Sequence, residues 1–230
     1  MRLRRLECFA DGYVRECLRL MERMRGDDSP DPATLHRLLA DQLRQGRVAC
    51  EGADWELAAY PLATWTDECL LSIDWPGKRW WVDHLLETSL FGSRIGGQRY
   101  FELSRRVAAD SQHPTGPMLL RIYYECVALG FRGVYAIGGG AAFRESLKLP
   151  ATLEHWQTET AQILSDWNRE RSLQSDEAKK ETPRIGRTLT LAQPLVQRHR
   201  LVWWTCAAVT LALLNGILWI YRHVGAGEPA

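Results

Sequence analysis

The 21 residues from Leu201 to Tyr221, LVWWTCAAVTLALLNGILWIY, carry no charged side chain, and they limit what this chain can fold into more than any other stretch does. As an α-helix rising about 1.5 Å per residue, they reach roughly 30 Å, the depth of a bilayer's hydrocarbon core. Helices buried in soluble proteins seldom run this far without a charge. Trp203 and Trp204 stand at one end and Trp219 and Tyr221 at the other, the distribution that aromatic residues adopt at membrane interfaces. Arg184, Arg187, Arg198 and Arg200 precede the segment, while Arg222 alone follows it. This charge asymmetry predicts one transmembrane helix over 201–221, with the N-terminal part inside and a short tail, 222–230, outside. Asn215 and Gly216 within the span fit either a helix–helix contact or simple tolerance.

The rest of the chain reads as helical. Leu6, Phe9, Tyr13, Cys17, Leu20 and Met24 recur at three- and four-residue spacing, which predicts an amphipathic helix. After the loop GDDSPDP, Asp31 is placed to cap a second helix from Ala33 to Gln45. A third is expected from Trp55 to Ile73, bent near Pro61, which has no N–H to donate. Short helices come next, at Trp80–Leu90 and Gln98–Ala109. Pro117 opens an almost wholly apolar helix, Met118–Leu129, expected to lie at the centre of the fold. A last helix covers Leu153–Trp167, and a weak strand-like alternation spans Val134–Ile137. The fold class is all-α: a helical domain over 1–168, a polar linker over 169–200, the membrane helix and the tail.

Several function classes are excluded by the sequence. The formal net charge of +1 offers nothing to nucleic acid. MRLRRLECF is basic, but Arg15, Glu16, Arg19, Glu22 and Arg23 interrupt the apolar residues beyond it, so no signal-peptide core forms and the domain is expected not to be exported. The six cysteines show neither a CxxC pair nor zinc-ligand spacing and read as reduced, buried thiols. His84 and Glu87 have the i, i+3 spacing of metal ligands, but HxxE is common by chance and salt bridging suits them better. Gly138–Gly140 lack the Lys-Ser/Thr of a P-loop. No catalytic triad or nucleophile elbow is present, so neither enzyme activity, cofactor nor metal is expected.

The Asp67–Glu68 pair is more informative. Adjacent positions on a helix diverge by about 100°, which argues against one shared substrate. Leu62, Trp65, Thr66, Cys69 and Ile73 are expected to face inward, with Asp67 and Glu68 flanking Leu71 on the opposite side. Spacing alone leaves open whether that side is a binding cleft or a solvated acidic face carrying one leucine.

Three segments carry a family resemblance. YPLATWTDECLLSIDWPGKRWW, LLETSLFGSRIGGQRYFEL and LLRIYYECVALGFRGVY, in this order and ahead of a C-terminal anchor, resemble the DotU/TssL (IcmH) family of type VI secretion, with relatives in type IVB systems. The resemblance implies a hook-like cytoplasmic domain of two small helical bundles without catalysis. It also implies a scaffold role, associating with an IcmF-type inner-membrane protein and docking baseplate components, with homodimerisation plausible. The family's acidic pair falls on Asp67 and Glu68 in a partner-binding cleft with Leu71. Gly96, Gly97, Gly130, Phe131, Arg132 and Gly133 match its structural motifs, Arg132 as a donor to helix ends. The alternatives are a type IVB subunit or, from another class, a membrane-anchored hydrolase using Asp67, Glu68 or His84. Pro61 and the sequence from Phe91 to Gly97 depart from the family pattern. No peptidoglycan-binding domain comes after the anchor, so wall attachment is expected to come from another protein.

Overall fold

In the computed structural model, residues 2–25, 29–48, 53–136 and 140–181 are described, all within one unit, Met1–Glu181. The segment 201–221 lies outside the described residues, as do Cys50, Cys206, Gly138 and Gly139. Among the described residues every regular element is helical, and no helix is long and apolar enough to cross a membrane. The elements are α1 (Arg2–Arg25), α2 (Pro32–Gln45), α3 (Ala53–Ser72), α4 (Lys78–Asp83) and α5 (Leu86–Phe91). They continue with α6 (Gly96–Ala109), α7 (Gly116–Ala128), α8 (Ala141–Ser146) and α9 (Leu153–Glu181). Single 3-10 turns come after α2 and α7, at Gly46–Val48 and Gly133–Tyr135.

Local chemistry sets several of these boundaries. The Asp31 carboxylate accepts from the Thr34 amide at 2.8 Å and caps α2, whose first residue is Pro32. α7 stops at Gly130, which takes φ +106, a value that a β-carbon would oppose; the Phe131 amide then donates back to the Cys126 carbonyl at 3.0 Å. Of the alternation expected over Val134–Ile137, the described residues, 134–136, do not form a strand, and Ile137 lies outside them. Gly133 has φ +52, and the chain turns there into the 3-10 segment.

The centre of the fold belongs to α3 rather than to α7 alone. Ala58, Ala59, Tyr60, Leu62, Ala63, Trp65 and Thr66 are all fully buried, and α3 packs against α1, α4, α5, α6 and α7. The alanines explain this position: without bulk beyond the β-carbon, neighbouring helices can approach from several sides. α3 also runs unbroken through Pro61, and the Thr64 hydroxyl bonds to the Tyr60 and Pro61 carbonyls beside it. α7 is apolar as expected and contributes Leu119, Leu120, Ile122 and Tyr123 to the same core. α9 places Trp156, Thr160 and Trp167 against α7, and it continues to Glu181, past the expected end at Trp167.

Candidate functional site

Short helices begin with backbone N–H groups that nothing in their own turn can satisfy. Among the beginnings without a side-chain cap of their own, three stand together: α5 at Leu85, α6 at Ile95 and the 3-10 turn at Arg132. Each is capped instead by a carboxylate from elsewhere in the chain.

Asp67 on α3 serves α5. Its Oδ1 accepts from the Trp81 indole and the Leu86 amide, each at 2.9 Å, and its Oδ2 accepts from the Glu87 amide at 2.9 Å. Glu87, positioned through its own amide, serves α6. Its carboxylate accepts from the Tyr60 hydroxyl at 2.8 Å, the Ile95 amide at 3.1 Å and the Gly96 amide at 3.0 Å. Glu68 serves the 3-10 turn, accepting from the Arg132 amide at 2.8 Å and the Gly133 amide at 3.0 Å. The circuit closes at Gly97, where an added β-carbon would stand 3.1 Å from both the Gly133 carbonyl carbon and the Val134 nitrogen. Backbone lies directly on backbone there. The adjacent acids of α3 therefore hold two turns that meet each other, Glu68 directly and Asp67 by way of Glu87.

The expected solvent-facing side of α3 is corrected by this geometry. Asp67 is 5 % exposed and Glu87 4 %. Leu71 is half-buried against the core. The inward face differs as well: Leu62, Trp65 and Thr66 are buried, whereas Cys69 and Ile73 are only half-buried. α4 and α5 fold back over the Asp67 side of α3 and cover what helical periodicity alone assigns to water. Burial pushes the Asp67 carboxyl up to about 7, against its three donors, with the nearby Glu87 charge adding to the rise. Glu68 is also raised by burial, against the Gly133 and Arg132 amides. Burial likewise pushes the Cys17 and Cys69 thiols up to about 12, so both stay protonated.

The other motif residues separate. Gly96 must lack a side chain, because a β-carbon there would come within 2.8 Å of the Glu87 carboxylate. Phe131 is buried, its ring 4.1 Å from that of Tyr100. Arg132 does not bind helix ends: its amide is held, while its exposed guanidinium makes no hydrogen bond or ion pair among the described residues. His84 and Glu87 do not form a pair. His84 is exposed, stacked on Trp80 at 3.8 Å, while Glu87 points inward. Of the residues named for the hydrolase alternative, Asp67 and Glu68 accept from protein donors and His84 stacks on Trp80. Glu87 was missed as a motif residue by sequence reasoning. Its signal is present in the chain, a lone acid within the apolar run LLETSLF.

A cleft of about 680 Å³ opens beside Glu68. Leu18, Met21 and Glu22 of α1 form one wall, and Leu129, Gly130 and Arg132 form the other. Trp65, Glu68 and Cys69 of α3, and Ile73 just past its end, lie between them. Leu18 and Leu129 are 43 % and 40 % exposed and give the cleft apolar lips. Asp67 and Leu71 do not line it. Arg132 also lines a second cleft of about 630 Å³, with Tyr135, Arg144 and the start of α9.

No curated protein matches this chain. Among solved structures, the cytoplasmic domain of TssL from Acinetobacter baumannii matches with a TM-score of 0.51 at 22 % identity, over 67 % of this chain and 96 % of that one. At this identity the likeness shows the fold alone. The family model described as type VI secretion system protein DotU matches residues 12–224, nearly the whole chain, and the three motif segments fall within it. The chain belongs to the DotU family of type VI secretion system proteins.

Proposed function

We propose that this protein is a tail-anchored, non-catalytic scaffold of a type VI secretion membrane complex. The observation that carries the proposal is the family match, which extends to residue 224 and so includes the uncharged segment 201–221. In this reading that segment spans the inner membrane, with the helical domain in the cytoplasm and residues 222–230 in the periplasm. The domain takes the hook-like, two-bundle form of its family, and 182–200 links it to the membrane.

An IcmF-type inner-membrane protein and the cytoplasmic baseplate are the proposed partners, with pairing of two copies as a source of avidity. The apolar cleft beside Glu68 supports a docking role, because an exposed leucine pair over a tryptophan floor is ready for burial by a partner. Glu68 belongs to this surface directly. Asp67 and Leu71 support it from below by fixing α3 and the elements packed on it.

Affinity capture of the full-length protein from gently solubilised membranes, followed by mass spectrometry, tests the scaffold. Co-purification of an IcmF-type protein together with baseplate subunits is the expected result. Recovery of neither, under conditions that preserve other membrane complexes, would leave family membership without this role.

A further inference from the structure

The acidic pair on α3 suggests an acidic docking surface that selects basic partners. The geometry points to the opposite sign. We propose that Arg132, set in place by Glu68, is the charged contact of the apolar cleft, and that the cleft takes an apolar helical segment of a protein partner bearing a carboxylate toward Arg132. This rests on the cleft as a docking surface.

Asp67 presents no charge to the cleft: it is 5 % exposed and does not line it. Glu68 does line the cleft, but both its oxygens accept from backbone amides, at 2.8 Å and 3.0 Å, and its charge is offset by the N–H ends of the turn that it caps. The group left over is the Arg132 guanidinium, exposed on the wall that Leu129 continues; its charge acts on Glu68, but it makes no side-chain hydrogen bond or ion pair among the described residues. Between it and α1 lies the apolar surface of Leu18, Ile73 and Leu129, over the buried Met21 and Trp65. Glu22 stands on the α1 wall. A bound segment therefore meets positive charge on one side and negative charge on the other, which orients it with its carboxylate at Arg132 and away from Glu22. Guanidinium favours carboxylate because its planar donors match both oxygens.

Glu68 is a positioning residue in this scheme. The Arg132 amide is the first of the two it holds, so the carboxylate fixes the backbone from which the guanidinium extends. Gly133, at φ +52 and pressed against Gly97, keeps the turn from finding another conformation. Removing Glu68 deletes a negative charge from the cleft, and simple electrostatics would then strengthen the binding of an acidic segment. Positioning predicts the reverse.

The test uses the full chain in phosphatidylcholine nanodiscs and two synthetic helical peptides. Both carry leucines at i, i+3, i+4 and i+7; one is flanked by Glu and the other by Lys. Fluorescence anisotropy is expected to show the Glu peptide binding about fivefold more tightly, the scale of one favourable surface charge pair. Arg132→Ala removes that preference and Arg132→Glu inverts it. Glu68→Ala weakens the Glu peptide, and it speeds hydrogen exchange at the Arg132 and Gly133 amides about tenfold or more as their acceptor is lost. If Glu68→Ala fails to fold, Glu68→Gln, which keeps one acceptor oxygen, gives the same pattern in smaller measure. Equal affinity for the two peptides, a preference for Lys, or a Glu preference that survives Arg132→Ala overturns the assignment of Arg132. Unchanged exchange at the two amides overturns the role of Glu68. Failure to capture secretion partners from membranes bears on the scaffold alone and leaves these readouts standing.

Discussion

Replacing Asp67 by alanine is the sharpest test of the carboxylate circuit. Alanine leaves three donors without their acceptor: the Trp81 indole and the amides of Leu86 and Glu87. Trp81 and Leu86 are fully buried and Glu87 nearly so, so water cannot reach these donors unless α4 and α5 lift from α3. A buried donor left unpaired costs about 1–3 kcal/mol, so the three together cost roughly 3–6 kcal/mol after partial relaxation. One offset must be controlled. Above the ordinary aspartate range, burial of Asp67 costs the folded wild type stability, whether by holding the proton or by burying the charge, and alanine relieves that penalty. Near pH 4, the ordinary aspartate range, the offset is small, because the carboxyl is then largely protonated in both the folded and the unfolded chain. For a domain of this size each kcal/mol shifts the midpoint by about 2–4 °C, so the lower bound corresponds to a drop of roughly 6–12 °C. Thermal melts of the full chain in detergent, followed by circular dichroism near pH 4, would measure it. A midpoint within about 2 °C of wild type would refute the claim that this carboxylate holds α5 onto α3.

The same geometry carries other expectations. Asp67 is raised in the folded state, so its stability contribution is complete below the ordinary aspartate range and is lost as pH rises toward about 7. Melts of the wild type should therefore fall between about pH 4 and pH 7 by a component that Asp67→Asn removes; identical pH profiles would show that Asp67 titrates normally. Gly97→Ala should destabilise by about 1–3 kcal/mol, because its β-carbon meets the backbone of Gly133 and Val134, which cannot swing aside. An unchanged urea midpoint would show that the two turns are not in contact. Deleting residues 201–230 should release a soluble, helical domain from the membrane fraction. Aggregation of that fragment with intact helicity would mean that the deleted segment packs on the domain.

The sequence by itself determined the longer helices and the family, but not the break that divides Trp80–Leu90 into α4 and α5, nor α8. Apolar spacing on α1, the Asp31 cap with Pro32 on α2, and the glycines after α7 act within a few residues of themselves, so their consequences can be read along the chain. The uncharged segment 201–221 is legible for the same reason, since its length and composition are local properties. What α3 does with its acids was decided only by tertiary structure. Helical periodicity correctly separates Asp67 from Leu62 and Thr66, but it assigns the far side to water because it describes one helix against one core. α3 is instead surrounded, and Asp67 meets donors fourteen to twenty residues away while Glu68 meets donors more than sixty away. Those pairings exist because α5, α6 and the 3-10 turn begin without caps of their own, and buried amides must find acceptors wherever the packing offers them.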